Sequence, residues 1–423
     1  MGGFRRVLGA LVAVASVVLA VVLFFIALLV SAQTTGNAFV AYPVAAVVVL
    51  LSGAGLARLA ARIRNGPGRG RNRLLIGICS GLALALSAGL SWAWFGAPVT
   101  YTARPNSSAV RYWDLPTGSR IAYVRFADEV THAEPVVLVH GGPGAPSNNS
   151  EVFAERLAAA GFAVYDYQQV GAGQSGRLDP SEYTVARHVA DLEAIRQKLA
   201  ARKMVLIGSS WGGQLAAEYI AAHPDTVAQA IVASPGAMSS NSFTTGSLTP
   251  GGQTDQNSQL AAHKRFAATF FLGQLGGLRA ARTLMPGHTA DGLYQQFVHS
   301  LSMSAGCPRA MAEWPAEPTA GYSLWVNIAT LASAKKSADP RPALRHSKTS
   351  LLVLRAQCDY LRWEVTREYR DTFPQARMLT VNGAGHTVLA NKPEETSAAV
   401  IAFLTGRTLP GEPYTADTDP WKN

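Results

Sequence analysis

The stretch that decides the fold is Leu206–Gly213, LIGSSWGG. An apolar run ends at Gly208, two serines follow, and the small and apolar residues after Trp211 have helical spacing. Gly208-Ser209-Ser210-Trp211-Gly212 fits G-x-S-x-G, set between a predicted strand and a predicted helix. In such a strand-turn-helix the central serine takes a strained turn that lifts its hydroxyl above the sheet, and small neighbours leave room for it. Register selects Ser210 as the nucleophile and leaves Ser209 beside it. Read alone, Ser210 is equally a helix N-cap, so the assignment rests on what stands at the other strand ends.

Outward from that turn, short β-rich runs alternate with helical ones. VVLVH (Val136–His140), AVYDY (Ala163–Tyr167), MVLIGS (Met204–Ser209), VAQAIVAS (Val227–Ser234), SLLVLRAQ (Ser350–Gln357) and ARMLTV (from Ala376) read as strands. Helical stretches separate them, near 184–201, after Trp211, near 364–372 and from Pro393 to about Leu404. This alternation predicts an α/β fold, a mostly parallel sheet flanked by helices. Its ligands belong at the C-terminal ends of the strands. RYWDLPTGSRIAYVRF, from Arg111, adds a two-strand start.

A serine hydroxyl needs a base, and the base needs an orienting group. In this fold type the chain order is Ser, then Asp or Glu, then His. Asp359 follows the strand SLLVLRAQ, and His386 follows ARMLTV in the loop NGAGH, so order and topology are met together. His346 and His223 do not sit at strand C-termini, and Asp371 is near a helix end. Backbone N–H groups that hold an oxyanion are expected from Trp211, the residue after the nucleophile, and from HGGPG (His140–Gly144). Pro143 has no N–H, which leaves Gly142 as the donor there.

Together these pieces resemble the α/β-hydrolase fold and, more narrowly, the proline iminopeptidase-like serine peptidases. HGGPG at 140–144, QQVGAGQS at 168–175, GSSWGG at 208–213, CD at 358–359 and GAGH at 383–386 stand in the family's order. The resemblance covers about residues 110–405. It implies Ser210 as nucleophile, Asp359 as orienter, His386 as base, and an inserted helical cap at 240–345. The core is then 110–239 with 346–405, followed by a tail at 406–423.

The departures concentrate where substrate is chosen. Gln168 stands for the family's Asp and Val170 for its Arg. The family's cap glutamate, which grips a free α-amine after a Trp, is replaced: Trp325 is followed by Val326. A cationic amine in a dry pocket needs a carboxylate. The proposed cap offers Asp255, Asp291, Glu313, Glu317 and Asp339, of which Glu313, beside Trp314, and Glu317 are the candidates.

The first hundred residues are of another kind. They contain eight arginines, no lysine and no acidic residue. Setting those arginines aside leaves 29 basic against 27 acidic residues, a balance that calls for no nucleic acid. Three runs, at about 7–32, 38–57 and 74–95, are long enough to span a bilayer. Arg5, Arg6 and the basic loop RIRNGPGRGRNR belong on the cytoplasmic side, whereas the loop SAQTTGNA is uncharged. Three spans then put everything after Phe95 outside, with Trp92, Trp94 and Phe95 at the outer interface. Outside the spans lie Cys307 and Cys358, either bridged or free.

The sequence therefore predicts a multi-pass membrane protein whose extracytoplasmic domain is a serine hydrolase working through an acyl-enzyme, with no metal and no organic cofactor. Its partners are the lipid bilayer and a small-molecule or short-peptide substrate. An aminopeptidase and an esterase are both compatible with that reading, and a catalytically idle binding module is the alternative from another class.

Overall fold

In a computed structural model of the chain, residues 2–65, 69–99, 109–146, 150–239, 263–304 and 321–421 are described. Glu313, Glu317, Asp255 and Cys307 lie outside the described residues. Two compact units emerge. Met1–Thr100 forms one together with Ala268–Ala290, and Tyr101–Ala267 forms the other with Asp291–Asn423. The insertion read from the sequence as one piece, 240–345, is thus shared between them.

The first unit is built on α1 (Gly2–Thr35), α2 (Ala38–Asn65) and α3 (Arg69–Ser91), the last continued by a wide turn over Trp92–Gly96. Stretches of 32, 27 and 25 residues within them are long and apolar enough to cross a membrane. Gly36, at φ 64°, closes α1 by donating its N–H to the Ala32 carbonyl, and α2 folds straight back. Small side chains fill the contacts: Ala20, Ala32, Ala41, Ala45, Ala57, Ala60, Ala61 and Ala83 have no exposed surface. Large ones point outward, among them Val14, Leu51 and Leu74, each more than three-fifths exposed. Helices with small residues inside and large apolar ones outside suit lipid, which gives no reason to bury leucine and rewards close backbone approach.

The second unit carries an eight-stranded sheet of order β1-β2-β4-β3-β5-β6-β7-β8. The strands are β1 (Arg111–Asp114), β2 (Arg120–Phe126), β3 (Val136–Val139), β4 (Val164–Tyr167), β5 (Met204–Ser209), β6 (Val227–Ala233), β7 (Ser350–Cys358) and β8 (Ala376–Gly385). β1 and β2 pair antiparallel, as does β2 with β4, and every pairing from β4 to β8 is parallel. Central strands buried on both faces read as continuous apolar runs rather than alternating ones. VVLV is buried along its whole length, and MVLIG likewise.

Helices α4 (Glu151–Ala159), α5 (Val185–Lys198), α6 (Trp211–Ala222), α12 (Trp363–Thr372), α13 (Val388–Asn391) and α14 (Pro393–Leu404) accompany the sheet. Between β6 and β7 come α7 (Lys264–Leu272), α8 (Leu278–Leu284), α9 (Gly287–Ser304), α10 (Leu324–Ala334) and α11 (Arg341–Leu344). Thr184 caps α5 by accepting the Arg187 N–H, which fixes the helix start one residue after the sequence suggests. One face of the sheet closes on Phe153, Leu157, Val400 and Phe403 from α4 and α14.

Glu218, in the last turns of α6, is a carboxyl on an otherwise apolar helix. Burial, with the nearby Asp339 charge, pushes it from its ordinary 4.5 up to about 7. A folded-state value above the unfolded one means that ionisation opposes folding, so stability is lost as pH rises from about 4.5 through 7. Glu218→Gln is therefore expected to raise the thermal midpoint near pH 8, by up to about 3 kcal/mol of stability, and to change little near pH 4.5. Melting curves of both proteins at the two pH values check this, and an equal gain at both would refute it.

Candidate active site

The turn after β5 is held by its backbone before any side chain is considered. Ser210 sits at φ 53° and ψ −121°, a conformation that costs a non-glycine residue on the order of 1–3 kcal/mol. Its N–H donates to the Ala233 carbonyl of β6 at 3.0 Å, and its carbonyl accepts from Gly213 at 2.9 Å and Gly236 at 2.8 Å. The flanking glycines are demanded by packing. A Cβ on Gly208 would lie 2.3 Å from the Gly212 carbonyl oxygen, and one on Gly212 would lie 1.9 Å from that of Val139.

The loop after β3 lies against this turn. A Cβ on Gly141 would stand 3.0 Å from the Ser210 Cβ. His140 organises the loop: its Nδ1 faces the Gly141 carbonyl at 2.9 Å and its Nε2 accepts the Gln169 N–H at 2.9 Å, so the Nδ1–H tautomer satisfies both. The Gln169 amide donates to the His140 carbonyl and accepts from the Trp211 indole, tying three motif loops together. Among the described residues, neither the Gly142 nor the Trp211 backbone N–H donates to a loop or turn carbonyl.

On the other side, β7 and β8 deliver the two remaining groups. His386 Nδ1 lies 2.7 Å from Asp359 Oδ1, which also accepts the Leu361 N–H at 3.0 Å. Asp359 Oδ2 receives Arg355 Nη1 at 3.1 Å, with Arg355 1% exposed overall and the Asp359 side chain fully buried. Burial alone would raise the Asp359 carboxyl, but His386 and the Arg355 guanidinium hold it below its ordinary value. An ionised Asp359 fixes the proton of His386 on Nδ1. That leaves Nε2 as a lone pair, buried and without a hydrogen-bond partner among the described residues.

Tyr360, next to Asp359, went unnoticed in the sequence. Its ring lies against His386, centroids 4.1 Å apart, and its phenol stands near the Ser210 side chain. Burial, with the Asp359 charge, raises the Tyr360 phenol, so it stays neutral. A second histidine near Trp211 is no competing base. His188 is buried against the Thr330 hydroxyl at 3.1 Å, and burial with His140 and Arg187 nearby pushes it down to about 3.

The residues expected to choose substrate divide. Trp325 is buried in α10, and Val326 is wholly buried against the loops. A Cβ on Gly144 would meet the Val326 Cβ at 3.0 Å, and one on Gly171 would meet its Cγ2 at 2.5 Å. Of the cap carboxylates, Asp291 is buried but engaged: it accepts the Leu324 N–H at 3.0 Å and faces Arg177 at 3.5 Å. Asp339 is taken up by Arg341 at the surface. Tyr294 and Asn327 both donate to the Pro143 carbonyl, tying the loop after β3 to α9 and α10. Gln168 Oε1 accepts the Gln174 N–H at 2.5 Å, an acceptor task that the family's Asp would also meet. Cys358 is disulfide-bonded. Among the described residues no group of three or more His, Cys, Asp or Glu gathers as a metal site.

The sheet order, the turn at Ser210 and the groups at the ends of β7 and β8 define an α/β hydrolase, and the chain belongs to that family, whose fold matches residues 134–393. Its sequence is 42% identical over 115 residues to a proline iminopeptidase of Lactobacillus helveticus, and 36% identical over 124 residues to one of Lactobacillus delbrueckii subsp. bulgaricus. These stretches are 26% and 28% of this chain, and only 39% and 42% of the relatives' length. Among solved structures, VinJ aligns with a TM-score of 0.52 at 21% identity over 72% of this chain and all of its own. A thermophilic esterase from Thermogutta terrifontis aligns at 0.51 and 19%, over 70% and 98%. At such identities the likeness is one of fold.

Arg355→Met leaves the Asp359 carboxylate buried with half its support removed. Taking one partner from a buried ion pair costs about 3–5 kcal/mol. The variant is expected to unfold at markedly lower urea concentration near neutral pH, with the gap narrowing as Asp359 is protonated in acid. A wild-type urea midpoint would show the pair to be dispensable.

Proposed function

We propose that this chain is a membrane-anchored serine hydrolase with its hydrolase unit outside the cytoplasm. The observation that carries the chemistry is the partnerless Nε2 of His386, whose other nitrogen is fixed by Asp359. Ser210 attacks a carbonyl carbon while Nε2 takes its proton. The oxyanion that forms accepts from the Gly142 and Trp211 N–H groups. His386 then protonates the leaving group, and a water activated by the same nitrogen releases the acid from the acyl-enzyme. Tyr360 keeps its ring against His386 and its phenol near Ser210, so the base is packed in place before substrate arrives; catalytic hydrogen bonds commonly tighten only in the substrate complex.

The leading substrate is a short peptide with a free N-terminus, by analogy with the Lactobacillus enzymes named proline iminopeptidase. An amine-binding carboxylate would come from Glu313 or Glu317. An ester is the second reading, and Val326 favours it: an apolar, fully buried side chain stands where the family carries a glutamate. The unit of three apolar helices supports the anchor. Arg64 lies against Gly9 at one end of the unit, among the arginines that flank the helices there, whereas the turn at Gly36, which joins the other ends of the first two helices, has no charged residue of its own and is faced by Arg279. Arginine-rich flanks face the cytoplasm. The hydrolase core is taken as 110–239 with 346–405 and the cap as 240–345.

Two results are expected. A fluorophosphonate probe should label membranes carrying the wild-type protein and not those carrying Ser210→Ala, and turnover of proline arylamides and short acyl esters should fall by about 10⁴-fold or more in that variant. Equal labelling would remove Ser210 from the mechanism, and the preferred substrate separates peptidase from esterase. Tyr360→Phe keeps the ring against His386 and removes only the phenol, so labelling should stay within a few-fold of wild type. Labelling slowed tenfold would mean that the phenol assists attack.

A further inference from the structure

The segment Ala268–Ala290 belongs by sequence to the cap but groups with the three apolar helices. Two helix ends meet there, one through a side-chain hydrogen bond and the other through a facing charge. The last four carbonyls of α1 and the first N–H groups of α8 have no partners within their own helices. Ala280, in the first turn of α8, donates its N–H to Oε1 of Gln33, in the last turn of α1, at 2.9 Å. In return the Arg279 guanidinium lies over Gly36, where a Cβ would come within 2.7 Å of Nη2, so a cation sits at the negative end of α1. Behind this exchange Ala280, Ala281, Leu284 and Met285 are buried.

The stretch leading into α8 does the opposite. From Phe266 to Leu278, FAATFFLGQLGGL, thirteen consecutive residues carry no charge. Within it Phe271 is 52% and Leu275 86% exposed, at a wide turn over Gly273–Gly277 in which Gly276 takes φ 93°. Large apolar side chains thrust outward from a glycine-rich turn mark an interaction surface. Other apolar groups share this end of the bundle. The Ser91 hydroxyl meets the Tyr42 hydroxyl at 3.0 Å, placing the end of α3 beside the start of α2, where Phe39 is 92% and Trp92 64% exposed. Aromatic residues ringing the ends of apolar helices are a feature of membrane interfaces, and the turn bearing Phe271 and Leu275 leads directly into α8, which docks at this same end on Gln33 and Gly36.

We propose that Ala268–Ala290 is a fourth membrane-binding element, which dips Phe271 and Leu275 among the lipid acyl chains of the outer leaflet without crossing it. It rests on reading α1–α3 as membrane spans. Such an element lies in the interface plane with its apolar side down, and part of the cap is thereby fixed to the bilayer in addition to the N-terminal spans.

The test places an environment-sensitive NBD label on the full-length protein in vesicles of phosphatidylcholine and phosphatidylglycerol that contain doxyl-labelled phosphatidylcholine. Leu275→Cys and Phe271→Cys are the test positions, Leu86→Cys on α3 marks the bilayer and Val152→Cys on α4 marks water, with the label on unsubstituted protein subtracted. Fluorophosphonate labelling of each variant reports that the hydrolase unit is folded. Quenching at Leu275 and Phe271 by shallow doxyl groups, to within about twofold of that at Leu86 and with Val152 unquenched, is the result expected. Emission at Leu275 and Phe271 matching Val152, while Leu86 is quenched, overturns the proposal and leaves the spans intact. An unquenched Leu86 overturns both.

Discussion

Everything in the hydrolase unit is arranged around one uncomfortable residue. Ser210 holds a positive φ that its side chain disfavours, and the fold makes that conformation the least costly one available. Its N–H belongs to the edge of β6, its carbonyl accepts from Gly213 at the start of α6 and from Gly236 after β6, and the three constraints leave the peptide no other orientation. Because the strand and the helix must pass so closely, Gly208 and Gly212 have no room for a Cβ. The hydroxyl is therefore aimed by the sheet itself, and rigidity of that kind is what a reacting group needs to be held in a productive geometry.

A second constraint follows from taking Asp359 out of water. A lone buried carboxylate would protonate and lose its hold on the His386 tautomer. Arg355 prevents this, and its own burial is relieved in turn by the Thr366 hydroxyl and the Leu361 carbonyl. The charge at the end of β7 is thus balanced from within the same strand, before His386 is counted. That arrangement holds the imidazole ring in one orientation and sets an ionised carboxylate against its Nδ1.

The fold was legible because central parallel strands write themselves as apolar runs, unbroken in β3 and in MVLIG of β5 and concentrated in AIVA of β6 and LLVL of β7. Ser210, Asp359 and His386 were legible because each follows such a run, and the structure brings Asp359 and His386 into contact. Arg355 left a signal that went unread: a cation inside SLLVLRAQ can be buried only with a partner, and Asp359 stands four residues on. Tyr360 left none, since its contact with His386 crosses between loops and has no local period; Gln169 stood within QQVGAGQS, but its bonds to His140 and Trp211 likewise cross between distant loops. The fate of Ala268–Ala290 was equally hidden. One amide on Gln33 and one guanidinium on Arg279 decide it, and neither residue type is unusual in its place.

Val326 shows how little must change to move such a site from one substrate class to another. Its side chain fills the space between Gly144 and Gly171, two glycines that the loops need for their positive φ. A glutamate on the same α10 position would put a carboxylate against the backbone of both motif loops, where only an ammonium group could compensate its desolvation. With valine there, the loops close on an apolar wall, and Asp291, a buried carboxylate among the described residues of the insertion, is already committed to the Leu324 N–H and to Arg177. The Asp359–His386 pair and the turn at Ser210 are untouched by this exchange. Selection of the substrate is therefore carried by a layer that varies independently of the machinery that cleaves it.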